Sequence, residues 1–392
     1  MNSHSRLVLA NFSAILLVLL IVSIVSAHQI YLVLNQGSDY SAHLQFWQYT
    51  RETGRLVVPH ILFPLIAYSV AALMQVPEVS GGLIVGTLAH VLTAVVVQLH
   101  LKTILPKAPF FSLLAGGLAV CLSIACPIYL FALPDVHYGY VSATVWHNPT
   151  LTVSKPFMLP LFWLVTYSLY GKAKATLNGV LVSIILATVI IFAKPSYSLV
   201  LLPATVLIAL FRVIQRQKIS WTSLSLGFIL PSVIMLTVQF IMVYDSPETS
   251  GSIIFSPFAF VNMRLESQSF AALSALVASI AFPGTVYLLY FHATKADLHL
   301  NLAWLSLLIG LGQYYLLLET GARAADGNWV WGAHAAMFVL YVATITFLLR
   351  HYSARGLWAN GLRNVRIQEW LTLTLFTLSV VYGMLQIGYP LP

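Results

Sequence analysis

The stretch "PHILFPLIAYSVAALMQV", residues 59–76, decides how this chain is threaded. As a helix it would be about 27 Å long, close to the ~30 Å of a hydrocarbon core, so length alone does not say whether it crosses. If it crosses, twelve apolar runs place both termini on one side. If it dips into or lies along the outer leaflet, about eleven spans remain, with the N-terminus inside and the C-terminus outside. The charges choose the second threading. It puts Arg6, Lys102, Lys107, Lys172, Lys174, Arg212, Arg216, Lys218, Lys295, Arg350, Arg355, Arg363 and Arg366 on one side, joined only by Asp297 and Glu369. Cytoplasmic loops favour Lys and Arg in this way.

Composition agrees with a membrane chain. Of 392 residues 59% are hydrophobic and 8% charged, which excludes a soluble globular domain. The net charge of +8 is no sign of a nucleic-acid partner, because its cations follow the loops. The first run, "LVLANFSAILLVLLIVSIVSA", reads as a signal-anchor, since many spans follow it; a cleaved signal peptide is the alternative. Cys121 and Cys126 lie five apart in an apolar run and carry no disulfide or metal message. The expected fold is an all-α polytopic membrane protein, one helical domain over 1–392, with a first outer loop over 28–80.

Ionisable groups gather on the outer side. In "NQGSDYSAHLQFWQYTRETGRLVVPH", residues 35–60, Asp39 and His43 are four apart and share a helix face. Asp39 reads either as a general base or as a helix N-cap. His60 reads as a phosphate contact or an interfacial anchor. In "VWHNPTLTVSKP", residues 145–156, His147, Asn148 and Lys155 form an anion or sugar contact, or a turn that satisfies only its own backbone. In "FAKPSYS", Lys194 either snorkels to the interface or meets an anion beside a helix opened by Pro195 and Ser196. In "YYLLLETGARAADGNWVWG", Glu319, Arg323, Asn328 and Trp331 offer a carboxylate, a bidentate cation and sugar contacts. Trp329 reads by default as part of an interfacial aromatic belt. Metal-ligand spacings such as HExxH, CxxC or DxD do not occur.

An inside N-terminus, an outer loop with an early aspartate and a "Pro-His…apolar" helix before the next span resemble the GT-C superfamily of membrane glycosyltransferases. "AKPS" and "ETGARAADGNWVWG" resemble bacterial polytopic proteins of that type more loosely. The resemblance implies a GT-C-like fold, a polyprenyl-phosphate-linked sugar donor and an acidic catalytic residue at Asp39. Tyr40 stands where many relatives carry a second acid, which leaves a divalent cation open. The implied acceptor is a glycan or a lipid-linked acceptor, in a bacterial inner membrane with the site facing outward. Arg323, Lys194 and Lys155 would offset charge on the leaving phosphate, and His43, His60, His147, Asn148, Glu319, Asn328 and Trp331 would complete the pocket. Two alternatives are a polysaccharide polymerase or ligase using lipid-linked oligosaccharides, and a secondary transporter or lipid-linked sugar flippase.

Overall fold

A computed structural model of the chain describes residues 3–35, 38–56, 58–129, 136–173, 176–244, 252–265, 269–321, 324–357 and 365–388. Helix α1, Ser3–Leu34, is followed by α2, Asp39–Thr53, and α3, Leu62–Met74. Then come α4, Glu78–Ile104; α5, Pro109–Ile124; the short α6, Val136–Gly139; and α7, Pro149–Leu169. Helices α8, Leu177–Ala193, and α9, Ser196–Ile214, form a hairpin. Next, α10, Trp221–Leu224, runs through a π-turn at Ser225–Ile229 into α11, Leu230–Tyr244. After strand β1, Ile253–Phe255, come α12, Ala259–Arg264; α13, Ser269–Ser279; α14, Ala281–Leu289; and α15, Phe291–Thr294. Helix α16, Leu298–Leu316, strand β2, Leu317–Glu319, α17, Val330–Ala354, and α18, Ile367–Gly388, complete the order.

The described residues hold six helices long and apolar enough to cross a membrane: α1, α4, α9, the α10–α11 run, α17 and α18. The pair α13 and α14, bent by 59° at Ile280, makes a seventh if counted as one span. The expected eleven are therefore not all present as long apolar helices. The shortfall has a physical source. Helices α5 and α8 have only 16 and 17 residues. Helix α7 is long enough but spends its early turns on Thr150, Thr152, Ser154 and Lys155, all buried within protein. Helix α3, the deciding stretch, has 13 residues. At 1.5 Å per residue that is about 20 Å, too short to cross alone.

Helix α17 is the central pillar, with every residue of its most apolar window buried. It lies against α16, α9, α7 and α4. Small residues let the backbones close up: a Cβ on Gly310 would stand 2.8 Å from the Ala333 nitrogen, and one on Gly116 would stand 3.2 Å from the Ala14 carbonyl. Close approach of this kind is how helices associate where lipid offers no hydrophobic driving force.

Helix ends segregate into two poles. At one, the end of α8 and the starts of α2, α7, α9 and α17 meet. Strand β1 pairs antiparallel with β2 there, Ile254 opposite Leu318. At the other, Arg350 of α17 reaches Asp297 before α16, and the Tyr170 hydroxyl accepts the Leu298 N–H at 3.1 Å. Lys172, Arg212, Asp297 and Arg350, which the charge pattern put on one side, lie together around this second pole.

Candidate functional site

Asp39 is the first residue of α2, preceded by Ser38 in extended geometry, φ −116°. The N-cap position is therefore Ser38, not Asp39 as the cap reading had it. The carboxylate is engaged from far along the chain: Asn148 Nδ2 donates to Asp39 Oδ2 at 2.8 Å. Asn148 caps α7, its Oδ1 accepting the Leu151 N–H and the Thr150 hydroxyl, both at 2.9 Å. The Asn148 side chain caps the start of α7, as the turn reading of "HNPT" had it, and also reaches outside that turn to hold Asp39.

Lys194 ends α8 in an extended conformation, and Pro195 starts α9 immediately afterwards. This corner turns the lysine inward. Its Nζ lies 5.2 Å from the centroid of the Trp331 ring and donates to Thr150 Oγ1 at 3.3 Å. With 4% exposure Lys194 does not snorkel. A hydrogen-bonded chain thus runs Lys194–Thr150–Asn148–Asp39, built from three separate segments. Burial raises the Asp39 carboxyl above its ordinary pKa. Lys194 pulls against that shift, Asp326 adds to it, and the Asn148 hydrogen bond opposes it.

His43 sits one turn beyond Asp39, its ring edge-to-face with His60 at 5.1 Å. Burial, helped by Lys194, lowers the His43 pKa to about 3, so the ring is neutral at ordinary pH. Its Nδ1 is buried without a hydrogen-bond partner among the described residues. The His147 ring lies tilted 4.0 Å from the His137 ring and edge-to-face with Trp331 at 5.3 Å. Burial drives its pKa well down, with His137, His334 and Lys194 adding to the effect.

Beside this cluster lies a cavity of about 140 Å³. Lys194, His60, Glu319, Asn328 and Trp329 supply its polar edge, and Leu199, Leu236 and Phe240 an apolar wall. Glu319 closes β2 and accepts from Asn328 Nδ2 at 2.6 Å. Trp329 is half-buried in this lining, and Trp331 is buried at 4% exposure.

Asp39, His43, His60, His147, Asn148, Lys194, Glu319, Asn328 and Trp331 therefore gather at one pole. Lys155 does not join them. Seven residues past Asn148, it lies about 10 Å deeper along α7, its ammonium donating to the Ala143 carbonyl at 2.9 Å and lying 5.1 Å from the Phe338 ring centroid. Arg323 lies outside the described residues. Sequence reasoning missed Thr150, the bridge between cation and amide. It also missed Gln239, which ties α11 to the Ile191 carbonyl at 3.0 Å and to Pro59 at 3.4 Å. A lone amide inside an apolar run was the available signal for Gln239. Among the described residues no three His, Cys, Asp or Glu side chains stand in an array that could hold a metal.

Compared with family models, with curated proteins and with solved structures, the chain matches none.

Proposed function

We propose that this chain is a membrane glycosyltransferase of GT-C layout. It moves a sugar from a polyprenyl-phosphate-linked donor to an acceptor hydroxyl at the Asp39 pole, with inversion at the sugar. The supporting observation is the juxtaposition of a half-buried carboxylate held by a neutral amide, a buried ammonium three hydrogen bonds away, and an apolar-walled cavity beside them.

Each part has a chemical role. Asp39 takes the proton of the acceptor hydroxyl as its oxygen bonds to the anomeric carbon. The bond from that carbon to the phosphate oxygen breaks, and its electron pair leaves with the phosphate. Lys194 offsets the negative charge that grows there, in a site where low dielectric strengthens the interaction. His60, neutral His43 and the Trp331 face orient the sugar. The apolar wall suits a prenyl chain, which gains about 0.8 kcal/mol per buried CH₂ by staying out of water. Residence in a bacterial inner membrane, with the N-terminus cytoplasmic, completes the proposal.

Two observations favour transport instead. The α13–α14 pair is bent by 59°, as a broken span or a re-entrant loop is, and Lys155 is an ionisable group inside the bundle; both are habits of transporters. Reconstitution in liposomes with a labelled polyprenyl-phosphate sugar and an acceptor separates the two. Label appearing in the acceptor supports transfer; label crossing the bilayer unchanged overturns it.

A further inference from the structure

A second concavity lies beyond the first. Trp47, Arg51, Tyr68, Ser69, Gln75 and Glu78 line much of a groove of about 560 Å³ formed by α2, α3 and the start of α4. Asp39, His43, Trp47 and Arg51 recur every fourth residue of α2, so they form one ridge, which at 1.5 Å per residue is about 18 Å long. The groove therefore begins one helical turn past His43, whose ring already touches the His60 edge of the cavity.

The lining has a particular chemistry. Trp47 and Tyr68 are half-buried and present flat apolar faces, while Arg51 and Glu78 are exposed. The Arg51 guanidinium lies 5.3 Å from the Tyr68 ring centroid, and Glu78 is close enough to act on the same phenol. A donor-only cation, an acceptor-only carboxylate, an amide and a hydroxyl thus surround two aromatic rings. Charges of both signs give no preference for an anion or a cation. The match is an uncharged ligand with apolar ring faces and hydroxyls around its rim.

We infer that this groove is a saccharide subsite, and that it holds the body of an oligosaccharide acceptor whose reacting end lies along α2 at Asp39. Saccharide binding stands on the groove's own chemistry, and the direction toward Asp39 rests on the transferase reading. An acceptor spanning the ridge has several sugar units rather than one.

Calorimetry on the full chain in nanodiscs, titrated with cellotetraose, mannotetraose and maltotetraose, tests it. At least one tetrasaccharide should bind, and Trp47→Ala and Glu78→Gln should each weaken that binding by about tenfold, the size expected for losing a central aromatic or a charged hydrogen bond. Trp47→Phe, which keeps a ring, should recover part of the affinity and guards against a folding defect. Tyr49→Ala, on α2 but outside the groove, should leave it unaltered. No Trp47-dependent binding of any of the three overturns the inference. So does a groove that responds only to the phospholipid headgroup of the nanodisc, with thermal stability following headgroup in the wild type but not in Trp47→Ala. Acceptor KM distinguishes the two readings. Trp47-dependent binding with transfer indifferent to Asp39 leaves the groove and removes Asp39 as the base. Transfer that needs Asp39 but keeps its acceptor KM in Trp47→Ala does the reverse.

Discussion

Two aspartates at opposite poles of the bundle are held in opposite ways. Asp297 meets a full charge: Arg350 Nη2 donates to its Oδ2 at 3.0 Å, while its Oδ1 caps α16 through the Leu300 N–H, also at 3.0 Å. Asp39 meets a neutral amide, and the nearby ammonium of Lys194 bonds to Thr150. The neighbouring carboxylate at the Asp297 pole, Glu369, likewise takes a guanidinium, that of Arg355. A carboxylate in direct contact with arginine is committed to its charge, whereas a half-buried one with a weak donor can exchange a proton with a ligand. Structure is served at one pole and chemistry, on the proposed reading, at the other.

The largest expected effect separates the poles outright. Asp39→Asn should lower transfer by a factor on the order of 10²–10⁴, the usual worth of a general base. Asp297→Asn should leave transfer near wild type. Initial rates in the liposome assay check both, and near-normal turnover of Asp39→Asn would remove the contrast.

The next concerns pH. The raised Asp39 pKa means that activity should climb with pH through a value above that of an ordinary aspartate, as the base form appears. Asn148→Leu deletes a bond that favours the ionised form, so the acid limb should move to still higher pH. Lys194→Gln should move it the same way. A pH–rate profile that stays put in both variants would detach Asp39 from the chain of hydrogen bonds.

Stability carries the same sign. A carboxyl whose folded pKa is raised contributes fully below its unfolded pKa of about 3.9, and that contribution is lost as pH rises through the folded value. Asp39→Asn should therefore melt at a higher temperature than wild type near neutral pH, with the gap closing toward acid pH. Thermal unfolding across that range measures it.

The smallest effect sharpens the comparison from the other side. Arg350 is more than a third exposed, so Arg350→Met should cost at most about 1 kcal/mol. Loss of the α16 cap in Asp297→Ala should add about 1 kcal/mol. Neither should move the pH–rate profile.

Much of this site could be read from the primary order because ionisable residues are expensive in an apolar chain and so mark themselves. Asp39, Lys194 and Glu319 stand out for that reason, and the charge bias of the loops assigns them to one side. Partner choice was not legible. Nothing local says that Asn148 reaches back 109 residues to Asp39, or that Thr150 links it to Lys194. The β1–β2 pair was missed because three residues are too few to show a period of two. Lys155 misled because its neighbours in sequence are site residues while its depth along α7 is set by helical rise. Six to seven of the described helices pass as spans; other apolar runs fall on shorter helices such as α5 and α8, and the run 156–171 falls on the later turns of α7, whose first turns are polar and buried.

The apolar wall of the cavity beside Lys194 has one more consequence. Phe240 lines that wall and is also 54% exposed on the outer surface of α11, so the chamber borders the molecule's greasy flank. A ligand arriving from that side is supplied by lateral diffusion in two dimensions. Its effective abundance is then a mole fraction within the film, and diluting the preparation with inert amphiphile slows occupancy even when the bulk volume is unchanged.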